Sequence, residues 1–130
     1  GMFDIDLVLD IGANEGQFAS EIRSGGYKGE IVSFEPLSSA YALLEDACSA
    51  DAKWRLHSRC ALGDRVGEVE INIAGNSASS SLLPMLNSHL TAAPHTAYVG
   101  KEVVPLITLD SIALNYIERK KNVFLKIEFF

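Results

Sequence analysis

The chain has 130 residues, of which 48% are hydrophobic and 22% are charged, values that are ordinary for a globular protein. This length suits one domain with its own core, so we expect residues 1–130 to form a single domain. The net charge of −6 disfavours sequence-independent nucleic-acid binding, because phosphate contacts need a basic face. No apolar run approaches the roughly 20 residues of a membrane span and no signal peptide is visible, so we expect no membrane association.

The most informative stretch is LVLDIGANEG, residues 7–16. Its apolar run predicts a first strand over 5–10, and helical spacing predicts a first helix over 17–24. Gly12 and Gly16 allow the chain to turn sharply between them. A strand, a glycine-rich turn and a helix N-terminus with free N–H groups are typical of the start of a nucleotide-binding β-α-β unit.

The glycine spacing departs from the dinucleotide fingerprint Gly-x-Gly-x-x-Gly. Asn14 and Gln17 stand where that fingerprint has its second and third glycines. Asn tolerates left-handed backbone angles better than most residues, so the turn itself is preserved. An NAD-dependent enzyme therefore stays an alternative, and Gln17 counts against it.

A second unit follows the first. Residues 30–34 predict the second strand, Ser38 or Ser39 can cap a following helix with apolar residues at helical spacing, and residues 54–60 predict a third strand. Two strand–helix units and a third strand predict an α/β fold with a doubly wound, mostly parallel sheet.

Glu35 stands at the carboxyl end of the predicted second strand. In this architecture an acidic side chain at that position accepts two hydrogen bonds from a ribose diol, and it disfavours the 2′-phosphate of NADP. Pro36 stops the strand directly afterwards, because proline has no backbone N–H. We expect Glu35 to bind the ribose of a nucleotide.

The pattern changes over residues 66–107, which we interpret as an antiparallel hairpin insertion. Polar and apolar residues alternate over 66–73, which predicts a half-exposed strand. Residues 74–98 are rich in Ser, Ala, Asn and Pro and predict a long loop of the kind that is usually functional or disordered. Residues 103–107 predict a strand that pairs back with the first, and Pro105 predicts an edge position for it.

The C-terminal part predicts one more helix and one more strand. Thr108 is a good N-cap for a helix over 109–120, and residues 123–130 form an apolar strand.

The cysteines and histidines form no metal-binding pattern. Cys48 and Cys60 lie in different predicted elements, and the three histidines form no i, i+4 pair. We predict two buried free thiols, no metal site and a cytoplasmic location.

Six segments, taken together, resemble the FkbM family of S-adenosylmethionine (SAM) dependent methyltransferases. They span nearly the whole chain in the order of that family: VLDIGANEG (8–16), FEP (34–36), CALG (60–63), SSSL (79–82), VPLITLD (104–110) and LKIE (125–128). The resemblance implies a class I methyltransferase fold, SAM as the cofactor, and methyl transfer to an oxygen of a small-molecule or glycan-like acceptor.

The resemblance also implies residue roles. The methionine part of SAM would be surrounded by Asp10, Gly12, Ala13, Asn14 and Gly16. Glu35, followed by Pro36, would hold the ribose, and Ala61 and Leu62 would lie beside the adenine.

The chain departs from the family pattern at its end. The family usually has Lys-Ile-Asp in the fourth strand, where this chain has Lys126, Ile127 and Glu128 and stops two residues later. We expect an N-terminal, cofactor-binding part of the fold without its last strands. Lys126 and Glu128 are the candidate catalytic residues, because ligands gather at the carboxyl ends of strands in open α/β sheets.

The uncovered sheet edge leaves further alternatives. Unpaired strand edges recruit other chains, so the edge predicts a homodimer. The same feature permits an inactive fragment or a non-catalytic remnant that binds a nucleotide or a partner.

Overall fold

The computed structural model of the chain describes residues 4–74, 98–117 and 122–128. In chain order the elements are β1 (Leu7–Ile11), α1 (Gln17–Ser24), β2 (Glu30–Phe34), α2 (Ser38–Ser49), β3 (Trp54–Leu56), β4 (Ala61–Gly63), β5 (Gly67–Ala74), β6 (Tyr98–Thr108), α3 (Leu109–Ile112), a π-helical turn (Ala113–Ile117) and β7 (Val123–Ile127). A parallel four-stranded sheet has the order β3-β2-β1-β7, and a smaller mixed sheet has the order β4-β6-β5.

Apolar side chains cover both faces of the parallel sheet. On the face that carries α1 and α2, Val8 and Ile31 pack with Leu44 and Trp54. On the other face, the remaining strand residues, Leu9 and Phe34 among them, pack with Ile112 of α3. All five residues of β1 are buried for this reason, which explains why its sequence is apolar rather than alternating. The predicted α/β fold with a doubly wound parallel sheet is confirmed.

The insertion forms the predicted antiparallel hairpin. β5 alternates between exposed glutamates and apolar side chains that pack into the core, and it pairs with β6 along its whole length. β6 is longer than the predicted strand over 103–107 because this pairing extends back to Tyr98. Pro105 was predicted at an edge, but it lies in β6, the central strand of the small sheet. At this position β6 pairs only with Glu68 of β5, because its pairing with β4 begins at Leu106.

The prediction of a strand over 54–60 is wrong beyond Leu56. β2 stops before Pro36, so β3 has no partner strand along which to continue. The predicted helix over 109–120 is α-helical only through Ile112 and then widens into the π-helical turn. The loop was predicted over 74–98, but Ala74 and Tyr98 lie in β5 and β6. The rest of that loop, the rest of the predicted helix, Phe129 and Phe130 lie outside the described residues.

The small sheet is tied to the turn that follows β2. Arg59 donates a hydrogen bond through Nη1 to the backbone carbonyl of Pro36 at 2.7 Å. Glu102 of β6 accepts hydrogen bonds from the backbone N–H of Ser38, at 2.9 Å, and from the Ser38 hydroxyl. The insertion is thereby fastened to the first residue of α2.

Among the described residues, β7 pairs only with β1, and Phe124, Leu125 and Ile127 are exposed. The homodimer expected through this edge stays a prediction. None of the described helices is long and apolar enough to cross a membrane.

Two neighbouring leucines of α2 test the packing of the helix on the sheet. Leu44 is fully buried, whereas Leu43 is 51% exposed. We expect Leu44→Ala to lower the free energy of unfolding by about 2–5 kcal/mol because it leaves a cavity, and Leu43→Ala to change it by less than about 0.5 kcal/mol. Urea unfolding followed by circular dichroism measures both, and equal losses would contradict the placement of α2.

Candidate functional site

The turn after β1 requires left-handed backbone angles at three alternate residues. The φ angles are 76° at Gly12, 54° at Asn14 and 98° at Gly16. A Cβ atom at Gly12 would overlap the backbone carbonyl of Glu128, and one at Gly16 would lie 2.9 Å from the Trp54 ring. Glycine is therefore needed at both positions for space as well as for conformation.

Glu35, at the end of β2, accepts a hydrogen bond from Asn14 in the middle of this turn. Its Oε1 accepts a hydrogen bond from the backbone N–H of Asn14 at 2.7 Å, and its Oε2 accepts one from the backbone N–H of Leu37 at 3.0 Å. The side chain is only 1% exposed. Burial raises the pKa of the Glu35 carboxyl above its ordinary value, and these hydrogen bonds and the Lys126 ammonium oppose the rise.

A buried ion pair lies beneath the same turn. Asp10 is fully buried, and its Oδ1 lies 3.0 Å from Nζ of Lys126, its register partner on β7. Lys126 Nζ also donates hydrogen bonds to the carbonyl oxygen of Gly12 and to Oε2 of Glu128, each at 3.1 Å. Burial raises the pKa of the Asp10 carboxyl, and Lys126 and Ser33 oppose the rise.

The polar contacts continue across the sheet from Asp10. Its Oδ2 accepts a hydrogen bond from the Ser33 hydroxyl at 3.2 Å, and Ser33 Oγ accepts one from Nε1 of Trp54 at 2.9 Å. Sequence reasoning missed Ser33 and Trp54. The only signal in the sequence was the serine in the mostly apolar strand Glu-Ile-Val-Ser-Phe, because a buried serine is costly unless its hydroxyl is hydrogen-bonded.

A cleft of about 360 Å³ opens between the turn and the end of β7. It is lined by Ala13, Asn14, Gln17, Phe18, Glu21, Lys126 and Glu128. The Glu128 side chain is 68% exposed and Lys126 is 17% exposed, so the carboxylate faces solvent while the ammonium is mostly covered. The N-terminus of α1 has no side-chain cap, and it adds unpaired N–H groups to one wall.

The residues expected beside an adenine lie farther along the same edge. Ala61 is buried in a cluster with Leu37, two residues after Glu35, and Leu62 packs against the cluster under Phe34. The structure thus places Glu35 against the turn from the side of β2, and Lys126 and Glu128 against it from the side of β7. Pro36 directly follows Glu35 in the chain, and its carbonyl accepts the hydrogen bond from Arg59. The ligand roles of these residues stay predictions.

Both cysteines are free and buried, as predicted. Burial raises the pKa of each thiol to about 11, so Cys48 and Cys60 stay protonated at neutral pH. Cys60 Sγ lies 3.6 Å from Nδ1 of His57 without becoming a thiolate. The described residues contain no group of three or more potential metal ligands. The cytoplasmic location inferred from the thiols stays a prediction.

Comparison with known families adds one finding to this geometry. The family model described as the methyltransferase FkbM domain matches residues 10–128, from the buried Asp10 to the exposed Glu128. No curated protein and no solved structure matches the chain.

Substitutions at three glycines distinguish the two constraints on the turn, which are the positive φ angle and the lack of room for a Cβ atom. Gly12 has a positive φ and no room for a Cβ, Gly26 has a positive φ of 104° and open space, and Gly67 has open space without a positive φ. We expect Gly26→Ala to cost about 1–3 kcal/mol of unfolding free energy from backbone strain, Gly12→Ala to cost clearly more, and Gly67→Ala to change little. Thermal and urea unfolding measure this order, and a Gly12→Ala cost no larger than that of Gly26→Ala would contradict the close approach of Glu128.

Glu35 predicts a specific pH dependence of stability. Because the pKa of its carboxyl is higher in the folded chain than the ordinary 4.5, the folded state binds this proton more tightly than the unfolded state. The resulting stabilisation is fully present below pH 4.5 and is lost as the pH rises through the folded-state pKa. Relative to Glu35→Gln, the wild type should therefore gain unfolding free energy as the pH falls from about 7 toward about 4.5. Urea unfolding at each pH measures the difference, which would be constant if the pKa were not raised.

Proposed function

The chain belongs to the FkbM methyltransferase family, and we propose that it binds SAM and transfers a methyl group to an oxygen of a small-molecule or glycan-like acceptor. The observation that carries this proposal is the contact between the glycine turn and Glu35, with Lys126 and Glu128 directly across the cleft. All of these groups lie at the carboxyl ends of parallel strands, where open α/β sheets bind their ligands.

The charged groups around the cleft complement the carboxylate and the ammonium group of the methionine part of SAM. The uncapped N-terminus of α1, next to Ala13 and Asn14, suits a carboxylate. The exposed carboxylate of Glu21 suits an ammonium group. Gly12 and Gly16 let the backbone of the turn keep the shape that these contacts need.

The carboxylate of Glu35 can accept hydrogen bonds from the hydroxyl groups of a ribose, but the side chains around it must shift before a ribose can reach it. Each of its carboxylate oxygens accepts a single backbone hydrogen bond, so each keeps capacity for a ribose hydroxyl. With 1% of its surface exposed, the side chain becomes accessible only when the surrounding side chains shift. Ala61 and Leu62, on the same edge, are the proposed apolar contacts of the adenine.

When bound, SAM supplies a methyl group activated by a positively charged sulfur. The residues of the chain would orient the acceptor hydroxyl and remove its proton, which is the part of the chemistry that a protein must provide. Glu128 is the proposed proton acceptor because its carboxylate is exposed to the cleft and is hydrogen-bonded by Lys126. We assign the proton transfer to neither Asp10 nor Glu35, because Asp10 is fully buried against Lys126 and Glu35 accepts two backbone N–H groups.

Calorimetric titration with SAM, S-adenosylhomocysteine and NAD tests the cofactor. We expect both adenosyl ligands to bind and NAD to bind weakly or not at all. NAD binding without any response to S-adenosylhomocysteine would replace this proposal with the dinucleotide alternative, and a folded chain that binds none of the three would exclude it.

A matched pair of variants tests the role of Glu35. Glu35→Gln and Glu102→Gln each remove a charge from a carboxylate that accepts a backbone N–H, of Asn14 and Ser38 respectively. We expect only Glu35→Gln to weaken S-adenosylhomocysteine, by about tenfold or more, since hydrogen bonds to a charged group are worth about 1.5–3 kcal/mol. Equal affinities of the two variants would contradict the proposed ribose contact.

A further inference from the structure

We propose that Lys126 is a positioning residue, which fastens the turn after β1 to the end of β7 and so fixes the two walls of the cleft. Asp10 is the buried counter-charge that holds it there. This inference deepens the proposed function, and it assigns Lys126 a role other than contact with the acceptor.

Three oxygen atoms surround the ammonium of Lys126. A lysine has three N–H donors, and three oxygen atoms lie 3.0–3.1 Å from Nζ: Oδ1 of Asp10, the Gly12 carbonyl oxygen and Oε2 of Glu128. Among the described residues, Asp10 Oδ1 has no hydrogen-bond partner, so the ammonium is its compensating charge. The ammonium is thus engaged within the chain by one ion pair, with Asp10, and by two hydrogen bonds, to Gly12 and Glu128.

The strand register explains why a long, positively charged side chain at position 126 reaches the turn as well as Asp10. Asp10 and Lys126 are direct partners on β1 and β7, and Gly12 and Glu128 each lie two residues farther along. The lysine side chain therefore starts beside Asp10 and extends toward the strand ends, where it reaches a carbonyl on one side and a carboxylate on the other. One ammonium thus joins the buried sheet, the turn and the rim of the cleft.

The backbone contact at Gly12 shows how closely the two walls meet. Even a Cβ at Gly12 would overlap the carbonyl of Glu128. Ala13 and Asn14 line one wall and Glu128 lines the other. Without the ammonium, the backbone N–H of Glu128 would still donate to the Ile11 carbonyl at 3.0 Å, but the turn would lose its hydrogen bond to the β7 side chain, and the two walls could shift against each other. A displacement near 1 Å is enough to slow a positioned reaction about 100-fold.

Three variants separate positioning from stability: Lys126→Met, Asp10→Asn and the double variant. Lys126→Met leaves Asp10 as an unpaired buried charge and should lower stability, whereas the double variant removes both charges and should recover most of it. The contacts to Gly12 and Glu128 are absent in both. We therefore expect S-adenosylhomocysteine to bind about 10- to 100-fold more weakly to the double variant than to the wild type, even though the double variant is stable, because the binding-competent arrangement of the walls is populated less.

A second ion pair provides the matched control. Arg23 pairs with Asp51 at 2.8 Å and donates a hydrogen bond to the backbone carbonyl of Tyr27, at the other end of α1. The double variant Arg23→Met with Asp51→Asn also removes an ion pair that holds a carbonyl. We expect its stability to fall while its affinity for S-adenosylhomocysteine stays at the wild-type value.

Hydrogen exchange without ligand gives a readout that does not depend on the proposed function. Amides of residues 12–16 should exchange faster in the Lys126→Met/Asp10→Asn variant than in the wild type and in the Arg23/Asp51 control. If the wild type binds no S-adenosylhomocysteine but this exchange increases, the proposed function fails and the positioning role stands. If the double variant keeps wild-type exchange in the turn, or regains wild-type affinity together with its stability, the positioning role is overturned.

Discussion

The conformation of the turn between β1 and α1 is the constraint on which the rest of the site depends. Three of its residues have left-handed backbone angles, which Gly12 and Gly16 adopt without strain, and groups on both sides hold the turn in this conformation. Glu35 binds the N–H of Asn14 from the side of β2, and Lys126 binds the carbonyl of Gly12 from the side of β7. The turn is thus held between the two strands that flank β1 in the sheet.

Glu35 and Lys126, which hold the turn, are charged groups in a largely buried environment, and charged groups do not give the most stable core. Replacing a buried ion pair with apolar residues of similar volume is often neutral or stabilising. The chain instead keeps a polar row across all four strands, from Trp54 through Ser33 and Asp10 to Lys126. Such departures from a stable apolar core are typical of functional sites, and this row ends at the residues that line the cleft.

The insertion is joined to the same region from outside the parallel sheet. Arg59 binds the carbonyl of Pro36 and Glu102 binds the N-terminus of α2, on either side of Leu37, whose N–H Glu35 holds. These contacts attach the hairpin to residues 36–38, the segment that directly follows Glu35.

The sequence by itself determined the α/β class, the order of strands and helices over the first 56 residues, the glycine turn and the family, because apolar periodicity and glycine positions are local properties. It placed Asp10, Glu35, Lys126 and Glu128 at strand ends for the same reason. Only the tertiary structure decided that Glu35 holds Asn14, that Asp10 pairs with Lys126, and that Ser33 and Trp54 complete the row, since these contacts join residues 21 or more positions apart. It also decided where β3 ends, because a strand continues only while its neighbour offers hydrogen bonds, and β2 ends at Phe34, shortly before Pro36.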